Sequence, residues 1–329
     1  MKILDAFLGF SIGDALGVPV EFLSRDKIKK NPITNMEAFG THEQPAGTWS
    51  DDSSLAFCLA ESLATKGYDL EDIAKNFVLW YEKDFWTAHG KVFDVGIGTS
   101  QALTRVQELL KNGQCPTLAG GNDEGNNGNG SLMRILPIIF YLKTHKKTIE
   151  QRFSIISDVS SITHGHIRAI LACFIYCEFA LELLEGHKKE IAYKNMQDKV
   201  NNFLNTNVVA PQEEIDKFYR VLNNILVVFG EPSSVTIATL PENEIYSSGY
   251  VLHTLEASIW CFLTTDNYAD CVLKAVNLGS DTDTTACVVG GLAGLYYEGA
   301  IPAHWVDVLA KKDEIIHLAE RLNKKLSKY

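Results

Sequence analysis

Apolar residues recur along this chain with a period near 3.6, the signature of helices that bury one face. Between positions 52 and 66, Leu55, Leu59 and Leu63 repeat every four residues, and Phe57 and Ala60 widen the stripe. Asp51 or Asp52 is placed to cap this helix and Gly67 to end it. Short oxygen side chains satisfy the free amides of a first turn, and glycine accepts the left-handed conformation that closes a last one. The same periodicity predicts helices near 69–83, 99–112, 131–143, 148–161, 166–185, 213–228, 250–263, 267–278, 284–297 and 310–326. Asp69 and the pair Asp266 and Asn267 stand where helix starts need acceptors. Alternation suited to strands is short and confined to 207–210 and 234–239. The pattern therefore predicts an all-α chain, read as one domain over 1–329, and no fixed-period repeat interrupts it.

Two stretches break the helical pattern. Residues 24–50 carry Pro32, Gly40, Pro45 and Gly47, and 119–131 read AGGNDEGNNGNGS. A linker would explain the second stretch. However, NGNGSLMRILPI passes directly into an apolar helix, and a tether has no need to end on an anchored turn, so a binding loop is the favoured reading.

Composition narrows the function classes. Apolar residues make up 46% and charged residues 22%, ordinary values for a globular chain. The net charge of −11 argues against a direct nucleic-acid patch, which needs clustered Lys and Arg. An acidic protein can still hold a phosphorylated ligand through cations or backbone amides. Asp5 and Asp14 interrupt the apolar N-terminal run and no small-residue cleavage site follows, so neither a signal peptide nor a membrane anchor is expected. The uncharged apolar stretch at 287–297 is short of the ~20 residues that span a bilayer. Seven cysteines lie without paired spacing, and Cys173 and Cys177, four apart on a helix, suit core thiols better than a zinc site. These features fit a reduced, cytoplasmic chain, with a monomer favoured.

The candidate chemistry lies in two acidic helix starts. GTWSDDSS at 47–54 offers Ser50, Asp51 and Asp52; GSDTDTT at 279–285, about 230 residues later, offers Asp281, Asp283 and Thr284. Either cluster alone could serve as a cap. A cap uses one side chain, though, and each cluster has two carboxylates and a hydroxyl. Hard divalent cations take oxygen ligands of this kind, and a paired site needs about four carboxylates. Small residues at Ala286, Gly290, Gly291, Ala293 and Gly294 would let a central helix pack closely. Glu21 ends the apolar run GVPV, where a carboxylate is costly unless partnered.

Taken together, these runs resemble the ADP-ribosylglycohydrolase family. The matching segments are GDALGVPVEF at 13–22, GTWSDDSSLAFCLAESL at 47–63, FDVGIGTSQAL at 93–103, NGNGSLMRILPI at 127–138 and SITHGHIRAI at 161–170. GYVLHTLEASIWCF at 249–262 and AVNLGSDTDTTACVVGGLAGLYY at 275–297 complete the series, in family order. The resemblance implies a multi-helix orthogonal bundle whose cleft is lined by two Mg²⁺ or Mn²⁺ ions. It implies Ser50, Asp51, Asp52, Asp281, Asp283 and Thr284 as ligands, with Ser50 standing where many relatives carry threonine. It implies Glu21 and Asp94 as the acid–base carboxylates. Asn129, Gly130, Ser131, Met133 and Arg134 would face the pyrophosphate, and Gly249 and Tyr250 the adenine and ribose. His164 is expected to touch the ligand or to be a packed or capping residue, as is His166; Arg134 has a second reading, neutralising buried aspartates. The implied activity is release of ADP-ribose from an ADP-ribosylated protein or small molecule, with arginine-linked protein the first choice. A non-catalytic or immunity-type ADP-ribose binder and another metal-dependent nucleotide hydrolase are the alternatives. Acceptor identity does not follow from these residues.

Overall fold

Helix Lys2–Gly17 lies outside the predicted segments, and it organises the rest. It is apolar on every side, so it has no amphipathic period to detect, and thirteen of its residues are buried. By length and composition Lys2–Val20 resembles a membrane span, but 83% of it is buried within the protein. The computed structural model describes residues 1–223, 227–228, 231–232 and 236–329.

The predicted helices are present with boundaries shifted by a few residues: Asp51–Thr65, Leu70–Lys83, Ile97–Lys111, Ile149–Ser161, Ile167–Leu184, Val251–Leu263, Tyr268–Val276, Thr282–Tyr296 and Lys312–Leu326. Ser50 rather than an aspartate caps the first of these, its Oγ accepting from the Asp52 amide at 3.3 Å. Gly67 follows it with φ 87°, as a helix terminator requires. The 131–143 segment is helical over Ile138–Thr144, and its earlier residues form turns. Two short helices, Gln212–Asp216 and Tyr219–Leu222, replace the expected helix over 213–228, whose residues 224–226 lie outside the described residues. Helix Lys189–Thr206 was not anticipated; its apolar positions are diluted by Lys, Asn and Gln. No strand forms at 207–210, and 237–239 is a single 3-10 turn, with 234–235 outside the described residues. The described strands are a minimal antiparallel pair, Val227–Val228 with Glu231–Pro232.

Helix Lys2–Gly17 runs against the central helix Thr282–Tyr296 at backbone contact. A β-carbon at Gly9 would lie 2.4 Å from the Gly290 carbonyl oxygen, and one at Gly13 would lie 2.1 Å from that of Ala286. From the other side, a β-carbon at Gly294 would meet the Asp5 carbonyl oxygen at 2.2 Å. Only glycine permits this approach, which the small residues of the central helix foreshadowed on their side of the seam. Tyr268 closes the seam by donating to the Gly9 carbonyl at 2.7 Å. Phe7, Phe10, Trp49 and Phe57 pack as an aromatic cluster at its flank, with ring centroids 5.1–5.9 Å apart.

Candidate active site

The close helix pair delivers two distant segments to one place. Gly17 ends the first helix against the start of the central one, where its β-carbon would fall 2.3 Å from Asp283 Cα. Thr282 donates to the Gly17 carbonyl at 2.8 Å, stapling the two ends together. Asp14, one turn earlier, accepts from the Ser50 amide at 2.9 Å, the Ser53 amide at 3.0 Å and the Ser53 hydroxyl at 2.6 Å. It thereby anchors the Asp51–Thr65 helix. Thr284 Oγ1 donates to Asp52 Oδ1 at 3.3 Å, so the two acidic helix starts meet.

The carboxylates are packed so closely that their ionised forms repel one another. Ligand atoms of Glu21, Asp281 and Asp283 lie within 4.8 Å of one another, as do those of Glu21, His42 and Asp94, and those of Asp14, Asp52 and Cys287. Burial, followed by mutual repulsion, holds Asp51, Asp52 and Asp283 well above the usual carboxylate range. Desolvation also raises Asp281 and Asp94, pushes Asp14 to about 6 and pushes Glu21 to about 7. Asp52 Oδ2 and Asp281 Oδ1 are buried without a hydrogen-bond partner. Oxygens left bare beside other buried carboxylates suit hard cations, and Ser50, Asp51, Asp52, Asp281, Asp283 and Thr284 are the oxygen side chains that could hold one.

These groups open onto a cavity of about 270 Å³. Glu21, Asp51, Asp52, Asp94, Asp281 and Thr284 line it together with Asn129, Gly130, Met133, His164 and Gly249. Asn129 bridges the glycine-rich loop to the acidic cluster, donating from Nδ2 to Asp281 Oδ2 and to Thr254 Oγ1, both at 2.8 Å. Its amide is committed to the Gly249 carbonyl at 3.0 Å. The stretch at 119–131 is thus an anchored loop and not a tether. His164 is buried, with Nδ1 2.8 Å from the Thr163 hydroxyl, and desolvation lowers its pKa to about 3, with the Arg134 charge adding to the effect. It is therefore a neutral ring at the cavity wall. His166 caps helix Ile167–Leu184.

Five of the sequence-selected residues do not line the cavity. Ser50 and Asp283 are buried among the acidic groups. Ser131 accepts from Ser160 Oγ at 2.9 Å beneath the loop. Arg134 is fully buried over the Phe77 ring at 4.7 Å and donates to the carbonyls of Gly130 and Val159. It braces the loop from below; burial lowers its pKa to about 10, an effect that the nearby Asp51 charge partly offsets. Tyr250 is half-buried, its ring 5.8 Å from the Arg168 guanidinium.

Three contributors escape the sequence reading. Asp14 carries a signal that could have found it, a carboxylate on an otherwise apolar helix, which must have buried donors. His42, in the irregular 24–50 segment, pairs with Glu21 and is raised above its ordinary pKa first by that hydrogen bond. Thr99, at the start of helix Ile97–Lys111, lines the cavity beside Gly98. Nothing in the local pattern marks the last two.

A family model described as ADP-ribosylglycohydrolase matches residues 1–329. An ADP-ribosylarginine hydrolase of Serratia proteamaculans is 32% identical over 98% of this chain and 78% of its own length. An ADP-ribosyl-(dinitrogen reductase) glycohydrolase of Rhodospirillum rubrum is 27% identical over 95% of this chain and 92% of its own. The solved structure of an ADP-ribosylglycohydrolase-related protein complex is 30% identical, with a TM-score of 0.73 covering 99% of this chain and 98% of that one.

Proposed function

The chain belongs to the ADP-ribosylglycohydrolase family, and from that premise we propose that it hydrolyses the bond joining ADP-ribose to an arginine side chain of a modified protein. One observation carries the reading: two acidic helix starts, far apart in sequence, meet at a cavity with buried carboxylate oxygens left bare. The arginine acceptor is favoured by the names of two relatives, the Serratia enzyme and an ADP-ribosylarginine hydrolase of Pseudomonas putida that is 30% identical over 96% of this chain.

Ser50, Asp51, Asp52, Asp281, Asp283 and Thr284 would hold two Mg²⁺ or Mn²⁺ ions. When bound, such ions supply charge neutralisation and Lewis-acid polarisation of a hydroxyl or water. Asn129 fixes Asp281 by its Oδ2 and leaves Oδ1 turned free. Breaking the glycosidic bond builds positive charge at the anomeric carbon, which a carboxylate-rich wall favours. Glu21, whose carboxyl burial raises above the usual range, lines the cavity and is placed to move a proton between water and the leaving nitrogen. Asp94 lies beside it in a left-handed backbone conformation, φ 49°, that turns a charged residue toward the cavity group. Because the Asn129 amide is already spent on Gly249, contact with a pyrophosphate falls to the neighbouring Gly128 and Gly130.

The test is release of free ADP-ribose from ADP-ribosyl-arginine and ADP-ribosyl-serine proteins, each with Mg²⁺ or Mn²⁺ and with chelator. Cation-dependent release from the arginine-linked protein is expected, and serine-linked release alone would overturn the acceptor. Asp281→Ala should lose cation binding and turnover while circular dichroism keeps its helical signal. Full activity in that variant contradicts the donor set.

A further inference from the structure

Phe22 lines two cavities at once, the acidic one and a neighbouring cavity of about 640 Å³. None of the residues placed toward ADP-ribose borders the larger cavity, so its space remains for something else. The Phe22 side chain is 67% exposed, although its backbone sits at φ 65°, where a residue with a β-carbon is strained. That strain is pinned on both sides. The Phe22 amide donates to the Ser280 carbonyl at 2.7 Å, and the preceding Glu21 carbonyl accepts from the Thr41 hydroxyl at 2.7 Å. The ring meets His42 at 6.0 Å with a tilt of 56° and otherwise faces solvent. A fixed, exposed aromatic face thus stands next in the chain to Glu21 and borders the cavity that Asp94 also lines.

Resting on the arginine-linked reading above, we propose that Phe22 selects the acceptor: its open face stacks on the planar guanidinium of the modified arginine, and the larger cavity takes the polypeptide that carries it. Guanidinium is planar, permanently charged and weakly hydrated, so it gains from an aromatic face flanked by carboxylates. A serine oxygen offers neither plane nor charge, and gains nothing there.

The probe is agmatine, a guanidinium without ADP-ribose, titrated by NMR into the wild type, Phe22→Leu and Phe22→Trp. All three side chains keep a β-carbon, so the backbone strain is common to them. Agmatine should bind roughly tenfold more weakly to Phe22→Leu and be restored in Phe22→Trp, with the affinity for free ADP-ribose unchanged throughout. Equal agmatine affinity in Phe22→Leu and wild type overturns the proposal, as does an equal loss of ADP-ribose affinity. Turnover reports separately on the reaction. A wild type that releases nothing from arginine-linked protein overturns the proposed hydrolysis, while ring-dependent agmatine binding would still support the stack.

Discussion

Glu21 and His164 line the same cavity, and burial moves them in opposite directions. Glu21 is raised to about 7, with desolvation the largest cause, while His164 is lowered to about 3 for the same reason. Burial disfavours whichever form is charged. For His164 the folded pKa lies below the unfolded value, so stability is lost as pH falls below about 6.5 and the folded ring is asked to accept a proton. Its imidazole should stay neutral down to pH 5 in a nitrogen-15 NMR titration; protonation near 6.5 would contradict the buried placement. For Glu21 the sign reverses: stability falls as pH rises from about 4.5 through 7, because ionisation costs more in the fold. Glu21→Gln keeps the shape and removes the titration. It should cut turnover by roughly 10²–10⁴-fold with ADP-ribose affinity retained, as stopped assays and calorimetry can check.

At the scale of elements, the seam between Lys2–Gly17 and Thr282–Tyr296 sets the geometry of the acidic starts. Gly290→Ala puts a β-carbon 2.3 Å from the Gly9 carbonyl oxygen, so backbone must yield. A loss of ~1–3 kcal/mol or more in denaturant unfolding is expected, together with weakened cation binding. Gly125→Ala, where an added β-carbon meets nothing within 4 Å, is the control and should be near neutral. The most legible elements were those with one buried face, such as Leu70–Lys83 and Lys312–Leu326, because periodicity is clearest where burial is one-sided. Lys2–Gly17 was invisible for the opposite reason, since buried all round it alternates with nothing. The acidic starts were legible because each carries more oxygen than a cap can use. Their meeting was not, since the contacts that enforce it run from Asp14 to Ser50 and from Thr282 to Gly17 and leave no trace in local spacing. Arg134 shows the same limit: an arginine after a glycine loop is chemically apt for phosphate, and its burial over Phe77, with donors on two backbone carbonyls, appears only in the fold.

For the whole molecule, the site costs stability that bound cations would restore. Asp14 and Glu21, raised to about 6 and about 7, with Asp51, Asp52 and Asp283 raised further, all bind protons more tightly folded than unfolded. Stability of the cation-free protein should therefore fall between about pH 4 and 7, against opposing slopes from His164 and His253 and from the lowered carboxylates Glu150, Glu185 and Glu214. Calorimetry in chelator should show this decline, and saturating Mn²⁺ should flatten it. Asp52→Asn removes one buried charge and one bare oxygen. It should raise the chelator Tm at pH 7 and abolish the shift that Mn²⁺ causes; a lower chelator Tm would mean the carboxylate is structurally supported after all.

The glycine seam also has a consequence for synthesis. Helix Lys2–Gly17 is apolar on every side, and the partner that covers it begins only at Thr282, some 265 residues further along the chain. At ~5–20 residues per second that partner follows by tens of seconds. Until then the nascent chain carries a long sticky segment and only one of the two acidic helix starts. Chaperone dependence during translation, and inertness of any product that stops short of the central helix, follow from where two glycine-rich stretches happen to sit in the reading order.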